Sequence, residues 1–229
     1  MECIVLAGGL GTRLQGVIGQ KPKCMAMVAG KPFIHHLFVY LSAQGCSHVI
    51  LSLGFMHQDV LDWLQTGSWP FEVSHVIETE QLGTGGGIAF AMSKARTAQV
   101  AVVNGDTMFR ASLPELMQYH MEQGAAATLA LKEMYAFDRY GIVVTGENGQ
   151  IISFEEKQYR AQGLINGGIY ILDKNALLDK QLPERFSFEK DYLEQHVGEG
   201  RFYGYCSDSY FIDIGVPEDY ARAQTELSN

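Results

Sequence analysis

An apolar run that ends in a glycine-rich loop is the feature that most constrains this chain. Residues 3–6 are continuously apolar, which is typical of a strand buried on both faces of a parallel sheet. Gly8, Gly9 and Gly11 follow directly. Glycine lets the backbone adopt positive φ angles and approach a ligand closely, so that successive N–H groups can bind phosphate oxygens. We therefore predict a phosphate-binding loop at the carboxyl end of the first strand.

Hydroxyl and basic side chains accompany these glycines. Thr12 supplies a hydroxyl donor, and three cations, Arg13, Lys21 and Lys23, lie nearby in a chain whose net charge is −9. This local reversal of charge favours a polyphosphate ligand. An ordinary tight turn is the alternative, because glycine-rich turns after a first strand are common. The G-x-G-x-x-G pattern of dinucleotide-binding folds and the P-loop pattern are both absent from the sequence.

Strand and helix patterns then alternate. Pro32 opens a helix with apolar positions between residues 33 and 41, and a strand at 48–53, a helix at about 57–65 and a strand at 71–77 follow. The alternation predicts an α/β fold with a Rossmann-like, mostly parallel mixed sheet and helices on both faces. Ligands bind such sheets outside the carboxyl ends of the strands, where the glycine loop lies.

A second glycine-rich stretch follows Glu78, which ends the strand at 71–77. It covers residues 83–87, includes Gly83 and Thr84, and precedes a predicted helical segment at 88–92. Glycines before a helix suit close backbone approach to a flat base. A flexible turn is the alternative.

Two acidic residues end or interrupt apolar strands. Asp106 follows the strand at 100–103, and Asp213 lies in an apolar segment near the C-terminus. A buried carboxylate is unfavourable unless it meets a cation, and a shared metal ion would satisfy both. A helix cap is the alternative for Asp106, although Ser112 and Glu115 already form the predicted capping box of the next helix.

The chain after residue 132 has a different character and is predicted to form a small β-rich lobe. A hairpin over residues 141–154 leads to Glu155, Glu156 and Lys157. In a continuing strand, Glu155 and Lys157 would share one face and Glu156 would take the other. A solvated, charged strand end is the alternative.

Polar residues near an apolar strand suit a sugar. Asn166 and Gly167 begin an apolar strand that ends at about residue 172, and an amide beside flexible backbone can hydrogen-bond a sugar ring. Ser187 is a predicted N-cap. Glu189 contacts the sugar or stabilises the helix dipole, two interpretations that the sequence leaves open.

Composition excludes several classes of protein. The 229 residues, 47% of them hydrophobic, suffice for one domain with an inserted lobe, and no linker is visible. The four scattered cysteines favour reduced thiols over disulfides or a zinc site. The acidic balance argues against nucleic acid. Without a signal peptide or a run of ~18 apolar residues, we expect a cytoplasmic protein without a membrane partner.

Five segments resemble, in order, the motifs of the sugar-1-phosphate nucleotidylyltransferases. They are L-A-G-G-x-G-T-R-L with a following P-K, the G-D at 105–106, F-x-E-K at 154–157, N-x-G-I-Y at 166–170 and D-x-G-x-P at 213–217. Two positions depart from the family. Val216 replaces its Thr, and Cys24 replaces a Pro that often follows the Lys. Hexapeptide repeats are absent, so a second activity is not expected.

The resemblance implies the nucleotide-diphospho-sugar transferase fold, with residues 1–229 as one domain. Residues 1–132 would bind the nucleotide and 133–229 the sugar phosphate. The implied nucleotide-binding residues are Leu6, Ala7, Gly8, Gly9, Gly11, Thr12, Arg13, Lys23, Glu78, Gly83, Thr84, Asn104 and Gly105. The implied sugar-phosphate-binding residues are Tyr140, Gly141, Glu156, Lys157, Asn166, Gly167 and Glu189. Asp106 and Asp213 would bind Mg²⁺.

The implied reaction joins a nucleoside triphosphate to a sugar 1-phosphate. The sugar phosphate attacks the α-phosphorus and releases pyrophosphate, and because this nucleophile is already ionised no general base is required. The implied catalytic residues are Arg13 on the pyrophosphate, Lys23 on the α-phosphate, Lys157 on the attacking phosphate, and the two metal-binding aspartates.

Within the family, the chain resembles the D-glycero-α-D-manno-heptose 1-phosphate guanylyltransferase branch, which implies a role in cell-surface polysaccharide synthesis. A carboxylate supplies two acceptors, which suit the adjacent N1 and N2 donors of guanine. Glu78 therefore predicts GTP as the donor, with Glu80 as an alternative base contact. Transfer from UTP to a hexose or N-acetylmuramate 1-phosphate, and a catalytically silent nucleotide sensor, are the alternative functions. The oligomeric state, a homodimer included, stays open.

Overall fold

The structure is a computed structural model that describes residues 1–9, 14–19 and 21–228. The strands are β1 Glu2–Leu6, β2 Met27–Val28, β3 Lys31–Pro32, β4 His48–Leu53, β5 Glu72–Ile77, β6 Gln99–Asn104, β7 Thr107–Phe109, β8 Ala127–Phe137, β9 Ile142–Thr145, β10 Ile151–Glu155, β11 Arg160–Asp173, β12 Phe202–Cys206 and β13 Phe211–Asp213. The α-helices are α1 Gln15–Ile18, α2 Phe33–Ala43, α3 His57–Leu64, α4 Gly83–Met92, α5 Leu113–Gln123, α6 Lys174–Leu178, α7 Glu194–His196 and α8 Pro217–Glu226.

Seven strands form one mixed sheet in the order β12-β8-β11-β6-β1-β4-β5. β1 lies near the middle and runs parallel to both β4 and β6, and β4 runs parallel to β5. β11 is antiparallel to β6 and β8, while β12 is parallel to β8. The predicted mostly parallel mixed sheet is confirmed.

Apolar side chains of the strands alternate between two cores, one on each face of the sheet. Cys3 and Val5 of β1 face one core, which also contains apolar residues of α2, α5 and α8. Ile4 faces the other core, together with apolar residues of α4 and of the helical turn Phe188–Leu193. Helices therefore cover both faces, as predicted, and this explains why β1 is apolar at successive positions.

Smaller sheets flank the main one. β9 and β10 form the predicted hairpin, β2 pairs with β3, and β7 pairs with β13 in antiparallel register. The last pairing joins two segments that lie about a hundred residues apart in sequence, and it places Asp213 opposite Thr107.

The structure corrects three local predictions. The glycines at 83–87 lie inside α4 rather than before it, because their missing side chains make room for a neighbouring loop. Asn166 lies within β11, at a register irregularity, rather than at the start of a strand. The capping box of α5 is only half formed, since Ser112 Oγ accepts the backbone N–H of Glu115 but the Glu115 carboxylate accepts the Tyr205 hydroxyl.

No helix within the described ranges is long and apolar enough to cross a membrane. The four cysteines are free thiols, and Cys206 alone among them is exposed.

A buried carboxylate at the amino end of β1 stabilises the sheet. Glu2 Oε1 lies 2.7 Å from His48 Nδ1, and Oε2 accepts the N–H groups of Arg96 at 2.6 Å and Thr97 at 2.7 Å. Burial alone would raise the pKa of Glu2, but the hydrogen bonds from His48, Thr97 and Arg96 outweigh it and lower the pKa to about 2.

We predict that the ionised Glu2 carboxylate contributes up to about 3 kcal/mol to the free energy of unfolding. Because the pKa is lowered on folding, this contribution is complete above the unfolded pKa of about 4.5 and is lost as the pH falls towards 2. Urea unfolding should show Glu2→Gln strongly destabilised at pH 7, with a difference from wild type that shrinks towards pH 3.

The matched control is Glu72→Gln, which removes an exposed carboxylate paired with Arg96. Exposed ion pairs contribute about 0–1 kcal/mol, so this variant should unfold close to wild type. A Glu2→Gln effect that stayed constant between pH 7 and pH 3 would contradict the assignment to the charge.

Candidate active site

A cleft of about 520 Å³ opens at the carboxyl ends of β1, β4 and β6. Every predicted nucleotide-binding residue that the structure describes lines this cleft, namely Leu6, Ala7, Gly8, Gly9, Lys23, Glu78, Gly83, Thr84, Asn104 and Gly105. Gly11, Thr12 and Arg13 lie outside the described residues. The sequence analysis missed four further lining residues, Cys24, Ser52, Gln81 and Arg185.

Hydrogen bonds hold the strand ends of the cleft close together. The N–H of Gly105 donates to the carbonyl of Leu6 at 2.9 Å, and the N–H of Ala7 donates to the carbonyl of Ser52 at 2.9 Å. A Cβ atom at position 105 would lie 2.5 Å from the Leu6 carbonyl oxygen. Glycine is therefore required at position 105 for the backbone to pass from β6 towards Asp106.

Glu78 lies in the cleft with both carboxylate oxygens held. Oε1 accepts the Ser52 hydroxyl at 3.0 Å, and Oε2 accepts the N–H of Leu82 at 3.1 Å. Its own N–H donates to the carbonyl of Leu53, which fixes the backbone at the end of β5. Glu80 is exposed and does not line the cleft. Of the two residues predicted to contact the base, Glu78 lines the cleft and Glu80 does not.

At the other end of the cleft, the β7–β13 pairing brings the two predicted metal ligands into one neighbourhood. The N–H of Ile214 donates to the carbonyl of Asp106 at 3.0 Å. Lys23 Nζ donates to Asp106 Oδ2 at 2.8 Å, and Asp213 Oδ1 accepts the N–H of Gly215 at 2.7 Å. Burial and the nearby Asp106 carboxylate both raise the pKa of Asp213.

This donor set fits a divalent cation. Two mutually repelling carboxylates in a partly buried site gain stability when a cation binds between them. Within the described ranges, no group of three or more His, Cys, Asp and Glu side chains could hold a metal without other ligands. A cation here would therefore take its remaining ligands from substrate oxygens and water, which is typical of Mg²⁺.

Tyr140, a predicted sugar-phosphate contact, lies near these carboxylates. Burial and the Asp213 carboxylate raise its pKa to about 12, so its hydroxyl remains neutral at physiological pH. The Arg139 guanidinium packs over the Tyr140 ring, 5.5 Å from its centroid, and forms an ion pair with the buried Asp219 of α8. The adjacent Gly141 allows the hairpin backbone to pass close to Glu155, where a Cβ atom would contact the carbonyl oxygen at 2.7 Å.

The structure brings three predicted sugar-binding residues together. Asn166 Nδ2 donates to Glu189 Oε1 at 2.9 Å, which gives Glu189 a defined partner. The neighbouring Gly167 packs against the Phe109 ring, where a Cβ atom would lie 2.4 Å from the ring. A Cβ atom on Gly168 would in turn lie 2.6 Å from Asn104 Nδ2, so this segment adjoins the nucleotide-lining strand β6.

Glu156 and Lys157 lie on an exposed segment, apart from the other predicted site residues. β10 ends at Glu155, so the predicted alternation of faces across residues 155–157 is wrong. Both side chains are exposed, and Glu156 forms a 3.5 Å ion pair with the equally exposed Lys190. Lys157 does not line the cleft.

Comparisons with known proteins give a consistent family and fold. A family model described as "Nucleotidyl transferase" matches residues 2–229. The chain is 44% identical to the D-glycero-alpha-D-manno-heptose 1-phosphate guanylyltransferase of Aneurinibacillus thermoaerophilus, over 100% of this chain and 99% of that protein. The enzyme of the same name from Campylobacter jejuni is 42% identical over 96% of this chain and 97% of that protein.

A solved structure with the same fold is HddC from Yersinia pseudotuberculosis in complex with GMP-PN. It superposes with a TM-score of 0.89 at 34% identity and covers 99% of each chain. The α/β fold with a mainly parallel mixed sheet that the sequence predicts is therefore confirmed.

We predict that Asp213→Asn leaves the fold intact or stabilises it when divalent metal is chelated with EDTA. The pKa of Asp213 is raised on folding, so ionisation of this residue lowers stability at neutral pH, and an amide oxygen can still accept the Gly215 N–H. Adding Mg²⁺ should stabilise the wild type more than the variant. Thermal unfolding with and without Mg²⁺ measures both effects.

Asp106→Asn serves as the comparison, because it breaks the Lys23 ion pair and should lower stability in EDTA. If Asp213→Asn were destabilising in EDTA and still stabilised normally by Mg²⁺, Asp213 would be a structural residue rather than a metal ligand.

Proposed function

Because the chain belongs to the nucleotidyl transferase family, we propose that it transfers a guanylyl group from GTP to D-glycero-α-D-manno-heptose 1-phosphate, which yields the nucleoside-diphosphate sugar and pyrophosphate. The observation that carries the proposal is Glu78, whose two carboxylate oxygens are oriented within the cleft by Ser52 and Leu82. Full-length similarity to two heptose 1-phosphate guanylyltransferases supports the choice of sugar.

The reaction requires no protein nucleophile or general base. A sugar phosphate oxygen is already ionised at neutral pH and attacks the α-phosphorus in line, while pyrophosphate leaves. The protein contributes by holding the two substrates in register and by neutralising charge. Lys23, fixed beside Asp106 at the end of the cleft, has the position to meet the α-phosphate. Arg13 is the proposed contact of the leaving pyrophosphate.

The proposed metal ligands are Asp106 and Asp213. Nucleotidyl transferases generally use a divalent metal, and we propose Mg²⁺ because the two carboxylates leave most of its ligand positions to phosphate oxygens and water. When bound, Mg²⁺ would neutralise phosphate charge near the reacting centre. Lys23 would then exchange its contact with Asp106 for a contact with phosphate.

The proposed sugar contacts are Asn166, Glu189, Tyr140, Gly141 and Gly167. The Asn166–Glu189 hydrogen bond holds an amide and a carboxylate next to each other, and such a pair suits vicinal hydroxyl groups.

Glu156 and Lys157 are two further proposed contacts of the sugar phosphate. They lie on the exposed segment that follows β10, so their contact with the sugar phosphate requires that this segment moves towards the cleft when substrate binds.

The cytoplasmic location expected from the sequence also belongs to the proposal.

We predict that purified protein with Mg²⁺ releases pyrophosphate fastest from GTP and D-glycero-α-D-manno-heptose 1-phosphate. The assay compares all four nucleoside triphosphates and dTTP with heptose, mannose and N-acetylmuramic acid 1-phosphates. Asp106→Asn should lower turnover by roughly 10²-fold or more, because one preorganised charge is lost. Asp62→Asn, which changes an exposed carboxylate on α3, should retain full activity.

Two outcomes would reject parts of this proposal. Pyrophosphate release from none of the substrate pairs, with GTP binding retained, would favour a silent nucleotide sensor. A preference for UTP over GTP would reject guanine selectivity while leaving nucleotidyl transfer intact.

We predict that Glu78→Gln reduces the preference for GTP over UTP and dTTP. The amide replaces one acceptor by a donor, and such a mismatch costs about 1–3 kcal/mol, or roughly 5- to 150-fold in kcat/KM for GTP. Glu80→Gln is the matched control, because Glu80 is exposed and lies outside the cleft. A change of preference in Glu80→Gln but not in Glu78→Gln would reverse the assignment.

A further inference from the structure

Arg185 is a cationic side chain of the cleft that has no part in the proposed reaction. It comes from the segment between α6 and the helical turn Phe188–Leu193, about a hundred residues after Glu78 in sequence. Nothing near it in sequence resembles a nucleotide-binding motif. The structure nevertheless places its side chain in the lining of the same cleft as Glu78.

Backbone hydrogen bonds fix the position of Arg185 at the Glu78 end of the cleft. The N–H of Phe186 donates to the carbonyl of Leu82 at 3.0 Å, and the N–H of Gly85 donates to the carbonyl of Phe186 at 3.0 Å. The N–H of Leu82 also donates to Glu78 Oε2 at 3.1 Å. One residue, Leu82, thus anchors both the Glu78 carboxylate and the segment that carries Arg185.

The glycines of α4 make this arrangement possible. A Cβ atom on Gly83 would lie 2.5 Å from the carbonyl oxygen of Phe186, one on Gly85 would lie 2.1 Å from the Phe186 ring, and one on Gly86 would lie 2.3 Å from the carbonyl oxygen of Glu184. Residues on both sides of Arg185 are therefore packed directly on the first turn of α4. The segment is a fixed part of the cleft wall.

The charge of Arg185 is available to a ligand. Its side chain is exposed, and within the described part of the chain it makes no ion pair or side-chain hydrogen bond. The other described cation of the cleft, Lys23, is paired with Asp106 at the opposite end. Among the described residues, Arg185 is thus the cation at the end of the cleft where Glu78 is held.

We propose that Arg185 is a specificity-determining residue that donates to O6 and N7 of the guanine base, while Glu78 accepts from N1 and N2. The inference rests on the proposed use of GTP. The guanidinium group is a planar fork of donors, and O6 with N7 is the acceptor pair that such a fork matches in guanine. Adenine presents an amino donor beside N7 and an acceptor at N1, so it would be mismatched with both side chains.

Gln81, another polar side chain of the cleft lining, does not explain the same selectivity. Its amide both donates and accepts, so it can pair with O6 and N7 of guanine or with N6 and N7 of adenine. Only a group with donors and no acceptor distinguishes the two purines at this edge. Arg185 is the side chain at this end of the cleft that meets this condition.

Base analogues separate the two contacts. We would measure kcat/KM for GTP, for 7-deaza-GTP, which lacks N7, and for ITP, which lacks the 2-amino group, with wild type and Arg185→Ala. Wild type should use both analogues at least several-fold less well than GTP. Arg185→Ala should use GTP about 10- to 100-fold less well than wild type and lose its discrimination against 7-deaza-GTP, while its discrimination against ITP persists through Glu78.

Two further variants make the result specific. Arg185→Lys keeps the positive charge and N–H donors but not the planar fork, so it should recover part of the GTP preference that Arg185→Ala loses. Arg201→Ala removes an exposed arginine outside the cleft and should behave as wild type. Thermal unfolding of each variant verifies that it is folded.

Several outcomes would overturn the inference. If Arg185→Ala still discriminated against 7-deaza-GTP, Arg185 would act on a phosphate or the ribose rather than on the base. If wild type preferred GTP over the other triphosphates but used 7-deaza-GTP as well as GTP, the inference would fail while the proposed function stood. If wild type did not use GTP, the proposed function itself would fail.

Discussion

The pairing of β1 with β4 on one side and β6 on the other is the constraint on which the site depends. In the observed register, Leu6 lies opposite Ser52 of β4 and opposite Asn104 of β6. Three parallel strands therefore end at the same level, and the loops that leave them diverge around one cleft. A shift of this register by one residue would move the apolar side chains of β1 to the wrong cores and separate the strand ends.

Close approach of backbones then connects the two ends of the cleft. The segment around Phe186 packs on the glycines of α4, and the N–H of Phe188 at its end donates to Thr84 Oγ1 at 3.0 Å. The turn that follows places Glu189 against Asn166. The wall beside the proposed base contact and the wall of the proposed sugar pocket are therefore parts of one packed unit. A bulky substitution at Gly85 would disturb both.

The electrostatic design of the site combines repulsion with neutralisation. Asp106 and Asp213 are brought together although the Asp106 carboxylate disfavours ionisation of Asp213, and Lys23 pairs directly with Asp106. Such a site is less stable without its ligands than an apolar site of the same shape would be, and this is common where charge must be exchanged during a reaction. The proposed metal and phosphates would supply the charges that complete the site.

The sequence by itself determined most of the local structure and the chemical class of the ligand. Apolar runs and capping residues placed the strands and helices of the first half, and the glycines and cations after β1 indicated phosphate, because these patterns act over short stretches of chain. Only the tertiary structure decided which distant residues share the site. Asp213 meets Asp106 through the β7–β13 pairing, and Arg185 reaches the Glu78 end of the cleft through packing on α4. Gly83, Gly85 and Gly86 show the same limit, since they contact Glu184 and Phe186 from inside a helix, and no local pattern connects those two residues to them.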